Sequence, residues 1–293
     1  MILTAASRFS TLYLQSDFFG ATAVVNIGKS AAGVIKLVIR AIETKEAAVS
    51  VDFPPPEAGS GKILIEDGEY ASENYYGMMI GLNATVTMCG GEFHGGNNPD
   101  SHSYPGVGLI YGGALNMAGG NIVGGNSLEL SALSSHYGAG LALWSDTLTY
   151  PTATITGGTI TGGSFLGEDG NYQSISVYAA KKTKVHLAGG NLSGDLFVEP
   201  EGTVVVYGET DLSYENGMLT GKLCDGSELG NISVYGGGNV ELKGCGDAPK
   251  IEECGKKSDA TSNYSSPPTS GKTGKKGEGD AVHRTRQKAS KAK

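Results

Sequence analysis

Four ten-residue segments of this chain read almost alike: Val86-Thr-Met-Cys-Gly-Gly-Glu-Phe-His-Gly95, Leu115-Asn-Met-Ala-Gly-Gly-Asn-Ile-Val-Gly124, Ala153-Thr-Ile-Thr-Gly-Gly-Thr-Ile-Thr-Gly162 and Val185-His-Leu-Ala-Gly-Gly-Asn-Leu-Ser-Gly194. Looser copies occur at Ile63-Leu-Ile-Glu-Asp-Gly-Glu-Tyr70, Leu212-Ser-Tyr-Glu-Asn-Gly-Met-Leu-Thr-Gly221 and Ile232-Ser-Val-Tyr-Gly-Gly-Gly-Asn-Val240. The common plan is apolar-x-apolar-x-[Gly/Asp/Asn]-Gly-x-apolar-x-Gly. Apolar residues at a period of two lie on one face of a strand. The glycine pair supplies positive φ and turns the chain, and the next apolar residue points inward from a second strand.

The pairs begin at residues 67, 90, 119, 157, 189, 216 and 236, spaced by 23, 29, 38, 32, 27 and 20. Repeats of fixed length do not tolerate such scatter. A right-handed parallel β-helix does, because each coil keeps its strands in register while one loop varies. About seven coils at the inter-strand distance span roughly 30–35 Å. Gly is 47 of 293 residues without a three-residue period, which excludes collagen and suits short strands joined by tight turns. A weaker strand precedes several pairs at Met78–Ile80, Val107–Leu109, Leu141–Leu143 and Ile175–Val177. Asn121, Asn191 and Asn239 are expected to share the outward position after the glycines, where stacked amides or turn-favouring asparagines fit equally.

The Gly-Gly segments resemble the glycine-rich β-helix regions of bacterial surface and adhesin-like proteins, including pectate-lyase-like and autotransporter-type solenoids. The resemblance covers about Gly59 to Gly244. It implies an all-β solenoid and an extracellular or cell-surface protein, although no signal peptide or anchor is visible. Gly112-Gly-Ala-Leu115 is similar to a short motif of polymorphic outer-membrane proteins.

The ends read differently. Residues 1–58 are expected to cap the solenoid: Val34, Leu37, Val38, Ala41 and Ile42 share a helical face behind Ser30 as N-cap, with a strand over Val34–Ile39 as the competing reading. Residues 59–245 form the β-helix. Residues 246–293, rich in Ser, Thr, Lys and Gly, read as a disordered basic tail. That tail holds eleven Lys/Arg against six Asp/Glu, so it carries +5 of a net −8 and the body carries −13. An acidic body repels nucleic acid and anionic membrane. No apolar run approaches the ~18 residues of a membrane span. Four cysteines, Cys89, Cys224, Cys245 and Cys254, have no metal-type spacing. Cys245 and Cys254 are close enough in sequence to pair locally, but four cysteines in a chain this long do not make a disulfide framework.

Candidate chemistry is sparse. Ala23-Val-Val-Asn-Ile-Gly-Lys-Ser30 matches a phosphate-loop pattern loosely, but Val-Val-Asn-Ile cannot converge its amides as a cradle must. His94, Asp100 and His102, with Glu92 beside His94, share one loop region without metal-ligand spacing. Gly162–Gly170 lacks the nine-residue period of calcium β-rolls. Glu66 and Glu215 share a repeat column five coils apart, too far to act together. Sequons at Asn83, Asn191, Asn231 and Asn263 matter only in a secretory eukaryotic setting. No cofactor or metal is expected.

Ile110, Trp144 and Tyr178 fall at one outward position of the weaker strand, with Tyr111 adjacent. Aromatic faces on a flat sheet suit sugar rings, and packing beneath a loop is the plainer reading. The expected function is therefore a non-enzymatic surface or extracellular β-helix for adhesion, glycan binding or a structural stalk, with a polysaccharide or cell-surface glycan as partner. The alternative is a polysaccharide lyase or glycoside hydrolase with its site in the long loops of coils three and four.

Overall fold

The computed structural model describes residues 62–255, apart from 73–74, 82–83, 98–102, 127–137, 146–149 and 167–170, together with the backbone of four earlier strands. The chain divides after Lys256, and everything below concerns the first unit. It is all-β. Taken in chain order, a three-strand rung repeats: β1 (Leu12–Gln15), β2 (Val24–Ile27) and β3 (Val38–Ala41); then β4 (Val49–Asp52), β5 (Lys62–Ile65) and β6 (Glu69–Ser72). The third and fourth rungs are β7 (Met78–Ile80), β8 (Thr85–Met88), β9 (Glu92–His94) and β10 (Val107–Leu109), β11 (Ala114–Met117), β12 (Asn121–Val123). β13 (Leu141–Leu143) is followed by β14 (Thr152–Thr161), which runs through the glycine corner, and by β15 (Ser164–Leu166). The later rungs are β16 (Tyr172–Ala179) with β17 (Lys184–Ser193), and β18 (Asp195–Val198) with β19 (Thr203–Gly208). A hairpin of β20 (Ser213–Glu215) and β21 (Met218–Lys222) precedes β22 (Glu228–Tyr235) and β23 (Asn239–Gly244).

First strands of each rung pair in parallel as β1-β4-β7-β10-β13-β16-β18-β22, here called sheet A. Second strands form the parallel ladder β2-β5-β8-β11-β14-β17-β19-β23, and third strands continue it around the glycine corner; together they are sheet B. The antiparallel strand pairings among the described residues are β15–β16, β20–β21 and β21–β22.

Register explains the core. Val86, Leu115, Ala153, Val185, Val204 and Val240 stack in one column, and Ile65, Met88, Met117, Ile155, Leu187, Val206 and Leu242 in the next. Tyr70, Phe93, Ile122, Ile160 and Leu192 face them from the third strands, the first two rings stacked at 4.5 Å. Sheet A adds Met78, Val107, Leu141, Val177, Leu196 and Val234. All are buried in one cluster except Leu192, Val234 and Val240, which are partly buried against it, and Leu242, which is exposed. Period-two patterning thus puts a continuous apolar column behind every strand.

The corner between second and third strands is the Gly pair. At Gly157 a Cβ would lie 2.5 Å from the Ala118 carbonyl oxygen, and Gly158 has φ +89. A side chain fits at neither position. A second corner, just after the third strands, carries a ladder that the repeat pattern did not single out. The Asn97 side-chain oxygen accepts the Asn126 N–H (2.5 Å), and the Asn126 oxygen accepts the Ser164 N–H (2.8 Å) and hydroxyl (3.1 Å). The expected ladder of Asn121, Asn191 and Asn239 does not form as such. Thr159 separates Asn121 from Asn191, and Asn239 opens β23 in a different ladder.

Two of the seven repeat copies are not coils. Asn216-Gly217 turns the β20–β21 hairpin, and Gly236–Gly238 joins sheet A to sheet B. β19 is a rung strand that has no Gly pair at all. Glu215 consequently sits on the hairpin, outside the column of Glu66. At the start, Val38–Ala41 is a strand paired with Glu69–Ser72, so the helical reading fails there; Val-Ile-Arg-Ala finds a parallel partner ladder, which overrides helical periodicity. Ser30, Val34, Leu37 and Ile42 lie outside the described residues. Val24–Ile27, within the phosphate-loop match, is likewise a strand, paired with Lys62–Ile65.

The cysteines pair as Cys89–Cys254 and Cys224–Cys245, not Cys245–Cys254. After β23 a 3-10 turn over Cys245–Asp247 sends the chain back along the outside of sheet B, so the described structure continues to Gly255.

Candidate binding face

The outer face of sheet A carries the aromatic residues. One outward column runs Met79, Gly108, Ala142, Tyr178, Phe197, Tyr235 in register. Its small members leave a shelf, and rings lie on it. A Cβ at Gly108 would come within 2.9 Å of both the Trp144 and Tyr76 rings. Tyr76 meets Trp144 edge-on, with centroids 5.6 Å apart. Tyr75 packs against Tyr76 (4.5 Å) and Tyr104 (4.7 Å) on one side. Trp144 approaches Tyr178 (6.3 Å) on the other, and Tyr178 stacks on Phe197 (5.7 Å). Six rings are thus in continuous contact. Beneath them Ala139, Ala142, Phe165, Ile175 and Ala180 form a buried apolar cluster distinct from the interior core.

The four residues singled out from the sequence are not equivalent. Ile110 and Trp144 do occupy the same height, each following the paired residues Leu109 and Leu143. Tyr178 does not: it pairs with Ala142, and the residue level with Trp144 is Ala180. Tyr178 is only 4% exposed, and its hydroxyl donates to the Glu199 carboxylate, which also accepts the Lys181 N–H at 3.1 Å. Ile110 is half-buried at the start of a tight turn closed by the Gly113 N–H. Tyr111, next in that turn, is 47% exposed and held at φ +47. Such a backbone costs a non-glycine residue on the order of 1–2 kcal/mol. Tyr75, Tyr76, Tyr104 and Phe197, missed in the sequence, join the face because registers and loop returns bring them there. Tyr76, Tyr104, Trp144 and Tyr178 all have further partners.

The chain length from one rung to the next varies, from His94 to Val107 and from Val123 to Leu141, whereas each glycine corner of sheet B stays tight. Tyr150 and Tyr172 are exposed, and the Lys182 ammonium stands 5.6 Å from the Tyr150 ring centre.

Sheet B's outer face is polar. His94 bonds Glu92 at 2.9 Å, while Asp100 and His102 lie outside the described residues. No group of three metal-ligating side chains occurs among the described residues. The Asp225 carboxylate accepts the Gly190 N–H (2.7 Å) and both donors of Ser227. Burial opposes its charge, but these bonds outweigh that and hold it below the usual carboxylate range.

His186 Nδ1 lies 2.8 Å from the Tyr207 hydroxyl. Burial, then Lys184 and Lys243, push its imidazole down, with Glu241 opposing. The folded state then binds fewer protons than the unfolded one between that lowered value and about 6.5. Unfolding free energy should therefore rise with pH through this window and flatten above it. Urea unfolding from pH 5 to 8 should show the slope, and His186→Gln should reduce it.

No family model, no curated protein and no solved structure matches this chain.

Proposed function

We propose that the chain is a right-handed parallel β-helix of the surface-exposed, adhesin-like kind, whose sheet-A face binds carbohydrate without cleaving it. Right-handedness follows from the strong chirality of crossovers between parallel strands of one sheet. The six-ring contact network of Tyr75, Tyr76, Tyr104, Trp144, Tyr178 and Phe197 carries the reading. An apolar patch left open on the outside of a sheet marks an interaction surface, and five of these six rings, all but Tyr178, are partly exposed. Rings that present both an apolar body and a polar tip suit a ligand with the same two characters, and a sugar has them. Two disulfides favour an oxidising, extracellular setting.

A glycan-array screen of the full chain, followed by a reducing-sugar assay on each hit, tests it. Binding without release is expected. Release of reducing ends would replace it with the lyase or hydrolase reading, and silence on the array would leave a structural stalk.

Two substitutions sharpen the test. Trp144→Ala should weaken binding about tenfold, the loss of one well-packed aromatic contact, whereas Trp144→Phe should keep most of it. Tyr111→Asn should raise thermal stability slightly, since asparagine tolerates the left-handed backbone, while lowering affinity. Strain kept at an exposed tyrosine is expected where that side chain touches a ligand.

A further inference from the structure

The two sheets finish differently after their last rung. Sheet A runs β18-β22-β21-β20, so the antiparallel hairpin covers the free edge of β22 and leaves a terminal strand of three residues. Sheet B stops at β23, a strand of six residues that pairs with β19 alone among the described strands. The Asn239 N–H donates to Gly202, so Asn239, Glu241 and Lys243 turn their main-chain groups toward β19. The N–H and C=O groups of Val240, Leu242 and Gly244 therefore point away from β19, along the outer edge.

Val240 and Leu242 close the apolar columns of sheet B, in register with Val204 and Val206. The end of the column is open. Leu242 is 40% exposed, and with Glu209, Leu212 and Lys243 it lines a groove of about 590 Å³. Proteins blunt a long edge with a proline, a bulge, an inward-pointing charge or a short strand. β23 uses none of these: it follows β19 without a register shift, and its inward residues are Val240, Leu242 and Gly244. Its charges lie on the outer face, Glu241 and Lys243 placed symmetrically about Leu242.

We infer that β23 is a self-association edge: two copies of the chain join by antiparallel pairing of their β23 strands, with the two-fold axis at Leu242. That register sets Leu242 opposite Leu242 of the second copy, Val240 opposite Gly244, and Glu241 opposite Lys243. The three residues with outward main-chain groups all fall in hydrogen-bonded pairs, each exchanging both N–H···O=C bonds across the axis. Glu241 and Lys243 fall in the non-hydrogen-bonded pairs, where side chains approach most closely, and opposite charges meet on both sides of the axis. On the inner face the leucines continue the apolar column across the junction. A slip of two residues either way sets Glu241 against Glu241 or Lys243 against Lys243, which like-charge repulsion disfavours. One strand pair makes a small junction, so the dimer dissociates at concentrations on the order of micromolar. Association needs no glycan and is independent of the reading of sheet A.

Sedimentation velocity of the full oxidised chain, over a concentration series, tests the edge. A monomer–dimer equilibrium is expected. Glu241→Lys sets a like charge against Lys243 on both sides of the axis and should raise the dissociation constant about tenfold. Lys243→Glu should do the same. The Glu241→Lys/Lys243→Glu variant should restore wild-type association, because exchanging the two charges rebuilds both pairs. Circular dichroism melts of the same variants separate loss of pairing from loss of folding. A monomer at every concentration would overturn the proposal, as would a dimer that both single variants leave intact or single losses that the double variant does not rescue. Species beyond the dimer that grow with concentration would also overturn it, since β23 would then meet the opposite end of the next copy.

Discussion

Replacing Cys89 and Cys254 together by serine is expected to lower global stability by about 2–5 kcal/mol, the range for a disulfide closing a long loop. The bond joins residues 165 apart, whereas Cys224–Cys245 joins residues 21 apart. Loop-closure entropy grows as 1.5RT times the logarithm of loop length, so the long bond should be worth about 2 kcal/mol more than the short one. Most of this arises in the unfolded chain, where the longer loop loses more freedom. Guanidinium unfolding of the two paired variants checks the order. A larger loss for Cys224→Ser/Cys245→Ser would show that native-state contacts, not chain entropy, dominate.

The second large effect is expected at a corner. A Cβ on Gly163 would lie 1.9 Å from the carbonyl oxygen of Gly125 and 2.5 Å from its carbonyl carbon. Both are backbone atoms of the preceding rung, so no side chain can swing aside. The Gly163 N–H also donates to Gly138 at 2.7 Å, which resists a shift of the strand. Overpacking ordinarily costs 1–3 kcal/mol where side chains can adjust. Gly163→Ala should cost about 3 kcal/mol or more. Gly230→Ala, where nothing lies within 4 Å, should cost little in comparison. Circular dichroism melts of the two variants compare them directly, and similar losses would contradict the stacked-corner geometry.

The glycine corners and apolar columns were legible in the sequence because each is local. Four decapeptides repeat both the period-two strand and the turn that ends it, and those four corners stack as the pattern requires. The failures have local causes too. Asn216-Gly217 has φ +52 and +77, the two-residue hairpin turn that Asn-Gly favours. Its likeness to a coil corner lies in the glycine alone. Ile175-Ser-Val177 matches Leu141-Ala-Leu143 in pattern, yet Val177 pairs with Leu141 and small Ala179 with Leu143. A slip of two residues keeps every side chain on its face, so period two cannot detect it. It does move Tyr178 by two residues, from level with Trp144 to level with Ala142. The aromatic network was legible only in part. Tyr75, Tyr76 and Tyr104 reach Trp144 through returns between sheets, and the shelf at Gly108 becomes visible once rings are placed on it. Cysteine pairing over 165 residues has no local signature at all.

Trp144 is the chain's one tryptophan, so its fluorescence reports the centre of the proposed binding face and nothing else. Titrating the oxidised chain with an oligosaccharide taken from the array hits should give a saturable change in its emission. The midpoint should match the affinity measured by calorimetry, because the ligand lies against the ring network. Calorimetric binding with an unchanged Trp144 spectrum would place the ligand elsewhere and contradict the assignment of sheet A as the carbohydrate-binding face.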